Sequence, residues 1–194
     1  VEDDLVSRII GVRILQKHGH VVDTAENGMD ALDKIQHAKY DLILMDVQMP
    51  VMDGLEATRR IRSMEGSNGK HIPIIALTAH ALRGERERFS ENGMDDYLTK
   101  PLDARLLLNT IKRWANQRGT AADSGEPAPA TSEHKLSLQR PAENCDLMGE
   151  LVPLFLQDAP FKIAAIKSAL NDNDAESTER VAHAMKSSAA YVGA

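Results

Sequence analysis

The sequence predicts an α/β protein: a five-stranded, doubly wound parallel sheet over residues 1–117, then an all-α helical-bundle fragment over residues 145–194. Three observations carry this. Short aliphatic runs alternate with helical periodicities from Val1 to Gln117, with short connections, so helices must cover both faces of a parallel sheet. Polar residues close the apolar runs at their C-terminal ends: Glu2-Asp3 after Val1, Asp46 after Leu42-Ile43-Leu44-Met45, Thr78 after Ile74-Ile75-Ala76-Leu77, and Lys100 after Tyr97-Leu98-Thr99. From about residue 145 onward only helical spacing remains.

The elements follow in order. Leu5 to His18 carries Leu5, Ile9, Val12 and Leu15 on one helical face, and His20 to Thr24 is an expected strand. Gly28 to Ala38 is helical with Ala31, Leu32 and Ile35 inward. Asp41 to Met45 is the third strand, Leu55 to Met64 a helix and Ile72 to Leu77 the fourth strand. Ala81 to Glu91 is a helix, Asp95 to Thr99 the fifth strand and Leu102 to Gln117 the last helix of the unit. Residues 118–144 read as a flexible linker, because Gly, Ala, Ser, Thr and Pro dominate 118–135 without apolar periodicity. Beyond it, Leu147, Leu151, Leu154 and Phe155 form one stripe. Pro160 restarts the chain, and Ile163, Ile166 and Leu170 form a second. After an Asn171-Asp172-Asn173-Asp174 turn, Val181, Met185, Ser188 and Val192 mark a third. Three amphipathic helices predict an antiparallel bundle whose last helix is missing.

Composition narrows the classes. A net charge of −6 with no basic block argues against direct nucleic-acid binding. Cys145 is the single cysteine, so no internal disulfide forms, as expected in a reducing compartment. No apolar run approaches the roughly 18 residues that span a bilayer. The segment is therefore read as cytoplasmic and without membrane contact. A chain opening at Val1 on a strand that is already ending reads as a fragment, whose parent protein could be anchored in the inner membrane.

In an open parallel sheet the C-terminal strand ends share one edge, where ligands bind. Two acids, one hydroxyl and one amine thus converge on the central carboxylate of Asp46, a set suited to Mg²⁺ and a phosphoryl group. Each residue has a plainer reading. Glu2 or Asp3 could cap the following helix, Thr78 could be strand filler, and Lys100 could be a surface charge. Asp53-Gly54 reads as turn chemistry and a helix start, and Asp95-Asp96 as a solvated turn. His18, His20, His37, His71, His80 and His134 follow no metal-ligand spacing.

Residues 1–117 resemble the receiver (response-regulator) domain of two-component signalling. The resemblance rests on Val1-Glu2-Asp3-Asp4, Leu44-Met45-Asp46, Met49-Pro50-Val51-Met52-Asp53-Gly54, Ala76-Leu77-Thr78-Ala79 and Tyr97-Leu98-Thr99-Lys100-Pro101. It implies a flavodoxin-like fold with Asp46 as the phosphoacceptor. Asp3 and Asp46 would be direct Mg²⁺ ligands, with Glu2 acting through water and the Gln48 backbone carbonyl completing the set. Lys100 would place a charge on a phosphoryl oxygen. Thr78 and Tyr97 would form the switch, and the Lys100-Pro101 bond is one commonly cis in that family.

His183 lies about 160° around the helix from Met185 and so faces away from the third apolar stripe. Lys186, one turn on, lies on a nearby flank. Neutral imidazole is a competent nucleophile near neutral pH. Residues 145–194 resemble the histidine phosphotransfer (HPt) domain, with His183, Lys186, Ser188, Gly193 and Ala194 matching its motif and Ser187 in place of a usual Gly. By resemblance His183 is the phosphohistidine, and Lys186 supports it.

Receiver, linker and phosphotransfer unit in this order resemble the C-terminal part of a hybrid sensor histidine kinase. The implied partners are a histidine kinase dimerisation and phosphotransfer domain and a downstream response-regulator receiver. No Gly-rich ATP-binding region appears, so this segment is not itself an ATP-dependent kinase. The competing reading is a binding module switched by phosphorylation of Asp46, without relay through His183. A haloacid-dehalogenase-type hydrolase would need a second Asp where Gln48 stands.

Overall fold

The computed structural model describes residues 1–66, 71–79, 84–120 and 145–193. Its elements run α1 (Leu5–Lys17), α2 (Gly28–His37), β1 (Ile43–Asp46), α3 (Gly54–Glu65), β2 (Ile74–Thr78), α4 (Glu85–Glu91), β3 (Asp96–Thr99), α5 (Ala104–Thr120), α6 (Cys145–Asn171) and α7 (Ala175–Val192). The three strands form a parallel sheet in the order β1-β2-β3. Ile43 pairs with Ile74, and Ile75 with Asp96, so the ladders end together at Asp46, Thr78 and Thr99.

Strand pleating sends alternate side chains to opposite faces. Ile43, Met45, Ile74 and Ala76 enter one cluster with Ala31, Leu32, Leu55, Ala57, Ile61 and Phe89 of α2, α3 and α4. Ile75, Leu77 and Leu98 enter the other with Val6, Ile10 and Ile14 of α1 and Leu107 of α5. The sheet is therefore doubly wound, as the sequence predicts, but among the described residues it has three strands rather than the expected five. Four helices of this unit begin on side-chain caps: Asp4 accepts from the Ser7 N–H, Asn27 from the Asp30 N–H, Asp53 from the Glu56 N–H and Asp103 from the Leu106 N–H. The first cap belongs to Asp4, so the plainer reading of Glu2 or Asp3 as the helix cap does not hold.

Three expectations change in detail, and one falls outside the described residues. Residues 20–24 form no ladder. Only Val1 and Glu2 lie between them and β1, with Asp46 N–H donating to Val1 O and Glu2 N–H to Ala25 O, and two residues give too few rungs for a strand. The α5 helix runs on to Thr120, into the expected linker, whose remaining residues lie outside those described. The expected helix start at Ala81 and His80 also lie outside. Finally, the two helices expected on either side of Pro160 are one, because α6 passes through Pro153 and Pro160. Each proline frees the carbonyl four residues back. Those carbonyls belong to Gly149 and Leu156, both in exposed positions where water is available. The helical unit is thus a pair rather than three helices.

The pair packs on the α1 side of the sheet. Leu151 is buried within the α1–α5 cluster, and Leu154, Tyr191 and Val192 pack against it.

Candidate functional site

Asp46 closes β1, and the chain then turns sharply. Gln48 N–H donates to Asp46 Oδ1 at 3.1 Å. Met52 N–H donates to Pro50 O, closing a three-residue turn on Val51, whose φ of 70° is strained for a β-branched residue. The returning chain meets Asp46 so closely that a Cβ on Gly54 would lie 2.0 Å from the Asp46 carbonyl oxygen. Only glycine fits there.

Lys100 reaches the site from the end of β3, its backbone N–H held by Thr78 O at 2.7 Å. Its Nζ lies 2.6 Å from Asp46 Oδ2 and 2.6 Å from Glu2 Oε2. The Lys100-Pro101 bond is cis. Burial disfavours the ammonium charge, but Glu2 and Asp46 more than offset this and hold the proton more firmly than usual. Burial pushes the Glu2 carboxyl up, and the Asp46 charge adds to it, to about 8. The same causes push Asp3 to about 6. Glu2, Asp3 and Asp46 offer carboxylate oxygens that all lie within 4.8 Å of one another. Three hard anionic oxygen donors so close together match the ligand chemistry of Mg²⁺.

Asp46, Gln48 and Thr78 line a cavity of about 200 Å³. The opposite wall comes from α7: Glu179, Arg180 and His183. His183 is half-buried in that position, so the helix face turned away from the apolar stripe is the one presented to Asp46. Lys186 is exposed and does not line the cavity. The cavity's cations instead include Arg180, one turn before His183, and Arg88 of α4. An i, i+3 Arg–His pair was the available sequence signal for Arg180. Tyr97 is half-buried and its ring packs 6.1 Å from that of Phe89.

Asp4, next to the site acids, is a buried carboxylate to which the sequence reading gave no role. Burial alone would raise its carboxyl, but Lys162 of α6 and the Ser7 N–H hold it below the usual range. Asp95 is no solvated turn. It takes Arg62 at 2.6 Å, His71 at 2.6 Å and the Ile74 N–H at 2.8 Å, tying α3 to the sheet. Asp96 pairs with Arg113 and Trp114 of α5.

Comparison with known proteins agrees with this geometry. The profile described as "Response regulator receiver domain" matches residues 1–112. The chain belongs to the response regulator receiver family. Behind the receiver, the profile described as "Hpt domain" matches residues 150–194. Sensor protein GacS of Pseudomonas syringae pv. syringae is 32% identical over 202 residues, covering 100% of this chain and 22% of that protein. The chain spans less than a quarter of the length of such curated relatives. Among solved structures, the receiver domain of sensor histidine kinase PA1611 from Pseudomonas aeruginosa PAO1 is 42% identical, with a TM-score of 0.55. The match covers 60% of this chain and 93% of that one, which holds a magnesium ion in its active-site cleft. The complex of the Saccharomyces cerevisiae histidine phosphotransfer protein Ypd1 with the receiver of Ssk1 is also similar, at 32% identity and a TM-score of 0.57. That match covers 60% of this chain and 86% of that one. A receiver joined to an Hpt domain, shared with hybrid sensor kinases, makes this a chain of two-component phosphorelay signalling. Among the described residues, no helix is long and apolar enough to cross a membrane.

Proposed function

We propose that Asp46 accepts a phosphoryl group from a kinase histidine and exchanges it with His183 of the same chain. The observation that carries this reading is the single cavity lined by both residues. In the forward step an Asp46 carboxylate oxygen attacks phosphorus, forming an O–P bond as the N–P bond of the donor phosphohistidine breaks. In the onward step the unprotonated imidazole nitrogen of neutral His183 attacks that phosphorus. The N–P bond forms, the O–P bond breaks, and Asp46 leaves as a carboxylate while the other ring nitrogen keeps its proton.

Lys100, already 2.6 Å from Asp46, places its charge on a phosphoryl oxygen, and the Thr78 hydroxyl donates to another. Glu2, Asp3, Asp46 and the Gln48 backbone carbonyl would hold Mg²⁺, which when bound supplies positive charge against the phosphoryl oxygens. Thr78 and Tyr97 are assigned the switch. Arg180, rather than Lys186, is the α7 cation at the cavity, so Lys186 is assigned to phosphohistidine only after undocking. The partners follow as a kinase phosphotransfer domain upstream and a second receiver downstream, and domain limits of 1–117, 118–144 and 145–194 serve this reading with α5 extended to Thr120. A binding module without relay has no use for an imidazole lining the phosphoacceptor's cavity.

The test is phosphoryl labelling from a histidine kinase, ATP and Mg²⁺. Base-labile label should vanish in Asp46→Asn, and acid-labile label should vanish in His183→Gln. Label confined to Asp46 in the unaltered chain would leave only the switched binding module.

A further inference from the structure

We infer that Asp4, Lys162 and Ser188 form a polar latch that sets the docked position of α6–α7 on the receiver and selects the helical partner that reaches Asp46. The inference rests on the relay reading above and adds the residues that govern its docking step.

Asp4 stands directly after the acids of the site, at the start of α1. Its Oδ1 accepts the Ser7 N–H at 2.8 Å and the Ser188 hydroxyl at 2.8 Å, while Oδ2 takes the Lys162 ammonium. Lys162 also meets Asp158 at 2.7 Å, one turn back on α6, and donates to Ser188 Oγ at 3.1 Å. One carboxylate thus binds α1, α6 and α7 together, and it is buried: the Asp4 side chain is 1% exposed and Ser188 is 0% exposed. The apolar part of the interface, Leu151 in the α1–α5 cluster, supplies attraction but little register. The polar triad supplies the register.

The spacing along α7 explains how this reaches the chemistry. At ~100° per residue, His183, Ser187, Ser188 and Tyr191 fall within about 140° of arc. Ser187 and Ser188 are buried, and Tyr191 oxygen accepts the Leu102 N–H at 2.6 Å, two residues past Lys100. Fixing Ser188 on Asp4 and Tyr191 on Leu102 therefore fixes the rotation of α7, and with it His183 over the cavity. Selection follows from burial. A helix pair without a cation at the Lys162 position would leave the Asp4 carboxylate buried and unpaired, which is strongly unfavourable. Asp4 and Lys162 are positioning residues; neither lines the cavity around Asp46.

The experiment uses the whole chain with acetyl phosphate, a donor that needs no docked partner, and follows transfer from Asp46 to His183 by acid and base lability. Lys162→Met keeps the aliphatic stem, and Asp4→Asn keeps the α1 cap. Each single change should slow transfer at least tenfold. The double change should slow it much less than the product of the two, because they remove one interaction. Lys162→Arg should restore most of the rate. Spin labels at positions 112 and 167, in a Cys145→Ser background, report docking without any phosphoryl donor. One narrow distance should broaden in Lys162→Met. Unchanged rates with an unchanged distance would overturn the latch and leave the relay standing. A distance that broadens in Lys162→Met, in a chain whose His183 never takes label, would keep the latch and remove the relay.

Discussion

The receiver and the helical pair bury their residues in different ways. In the receiver, Met45, Ile61, Ile74, Ile75, Val6 and Leu107 are completely buried, split between two faces of one sheet. In the pair, the buried residues among those described are Leu151, Ala169, Ser187 and Ser188, and Leu151 is buried against the receiver. Phe161 is 75% exposed, Leu156 63% and Leu170 58%. The receiver's order is self-contained, whereas the pair takes much of its position from its neighbour. Such a division suits a relay. In the proposed relay the nucleophilic carboxylate would need a rigid cradle, and a histidine exchanging with more than one partner would need a docking surface it can leave.

The comparison can be broken most directly by cavity mutations. Ile61→Ala should destabilise the receiver by about 2–5 kcal/mol in urea unfolding, the range for emptying a fully packed site. Leu170→Ala should cost under about 0.5 kcal/mol, as at most exposed positions. Equal costs would contradict the contrast.

A second prediction sharpens what the rigid cradle holds. Glu2 ordinarily titrates at 4.5 and is pushed up to about 8. The folded state then binds more protons than the unfolded one between these values, so this group makes folding stability fall as pH rises through that window. The urea midpoint without divalent cations should therefore drop from pH 5.5 to pH 8, and the drop should shrink in Glu2→Gln. Mg²⁺ competes with those protons, so its apparent affinity should rise over the same pH range. A midpoint slope identical in Glu2→Gln would refute the assignment. The smallest effect expected is at a receiver helix end: Asp53→Ala removes the α3 cap and should cost about 1 kcal/mol, seen as a shifted midpoint with an unchanged slope.

The strand-end residues were legible in the sequence because each of Glu2, Asp46, Thr78 and Lys100 closes an apolar run, and parallel strands put those ends on one edge. His183 was legible because helical phase separates it from Val181 and Met185. Asp4 was not. Three consecutive acids carry no phase, and its partners Lys162 and Ser188 lie more than 150 residues away in sequence. The continuity of α6 was hidden for a local reason, since a proline such as Pro160 ordinarily argues for a break and only its solvent-facing setting tolerates it. Residues 20–24 have the composition of a strand, but hydrogen-bonded ladders depend on neighbours that composition does not name. Arg180 was missed because Lys186, on the other side of His183, matched a motif.

His183 already lines the space in which any incoming phosphohistidine must meet Asp46. Under the relay proposed above, two imidazoles would take turns at one carboxylate. Reloading from a kinase would then wait for α7 to lift away, and delivery to His183 would wait for it to return. Because both units belong to one chain, that return would be a first-order event, insensitive to protein concentration, while a kinase's visit would be second-order. Traffic through this chain should accordingly run as a shuttle with a fixed internal beat, its throughput at saturating kinase set by how fast a two-helix arm opens and closes.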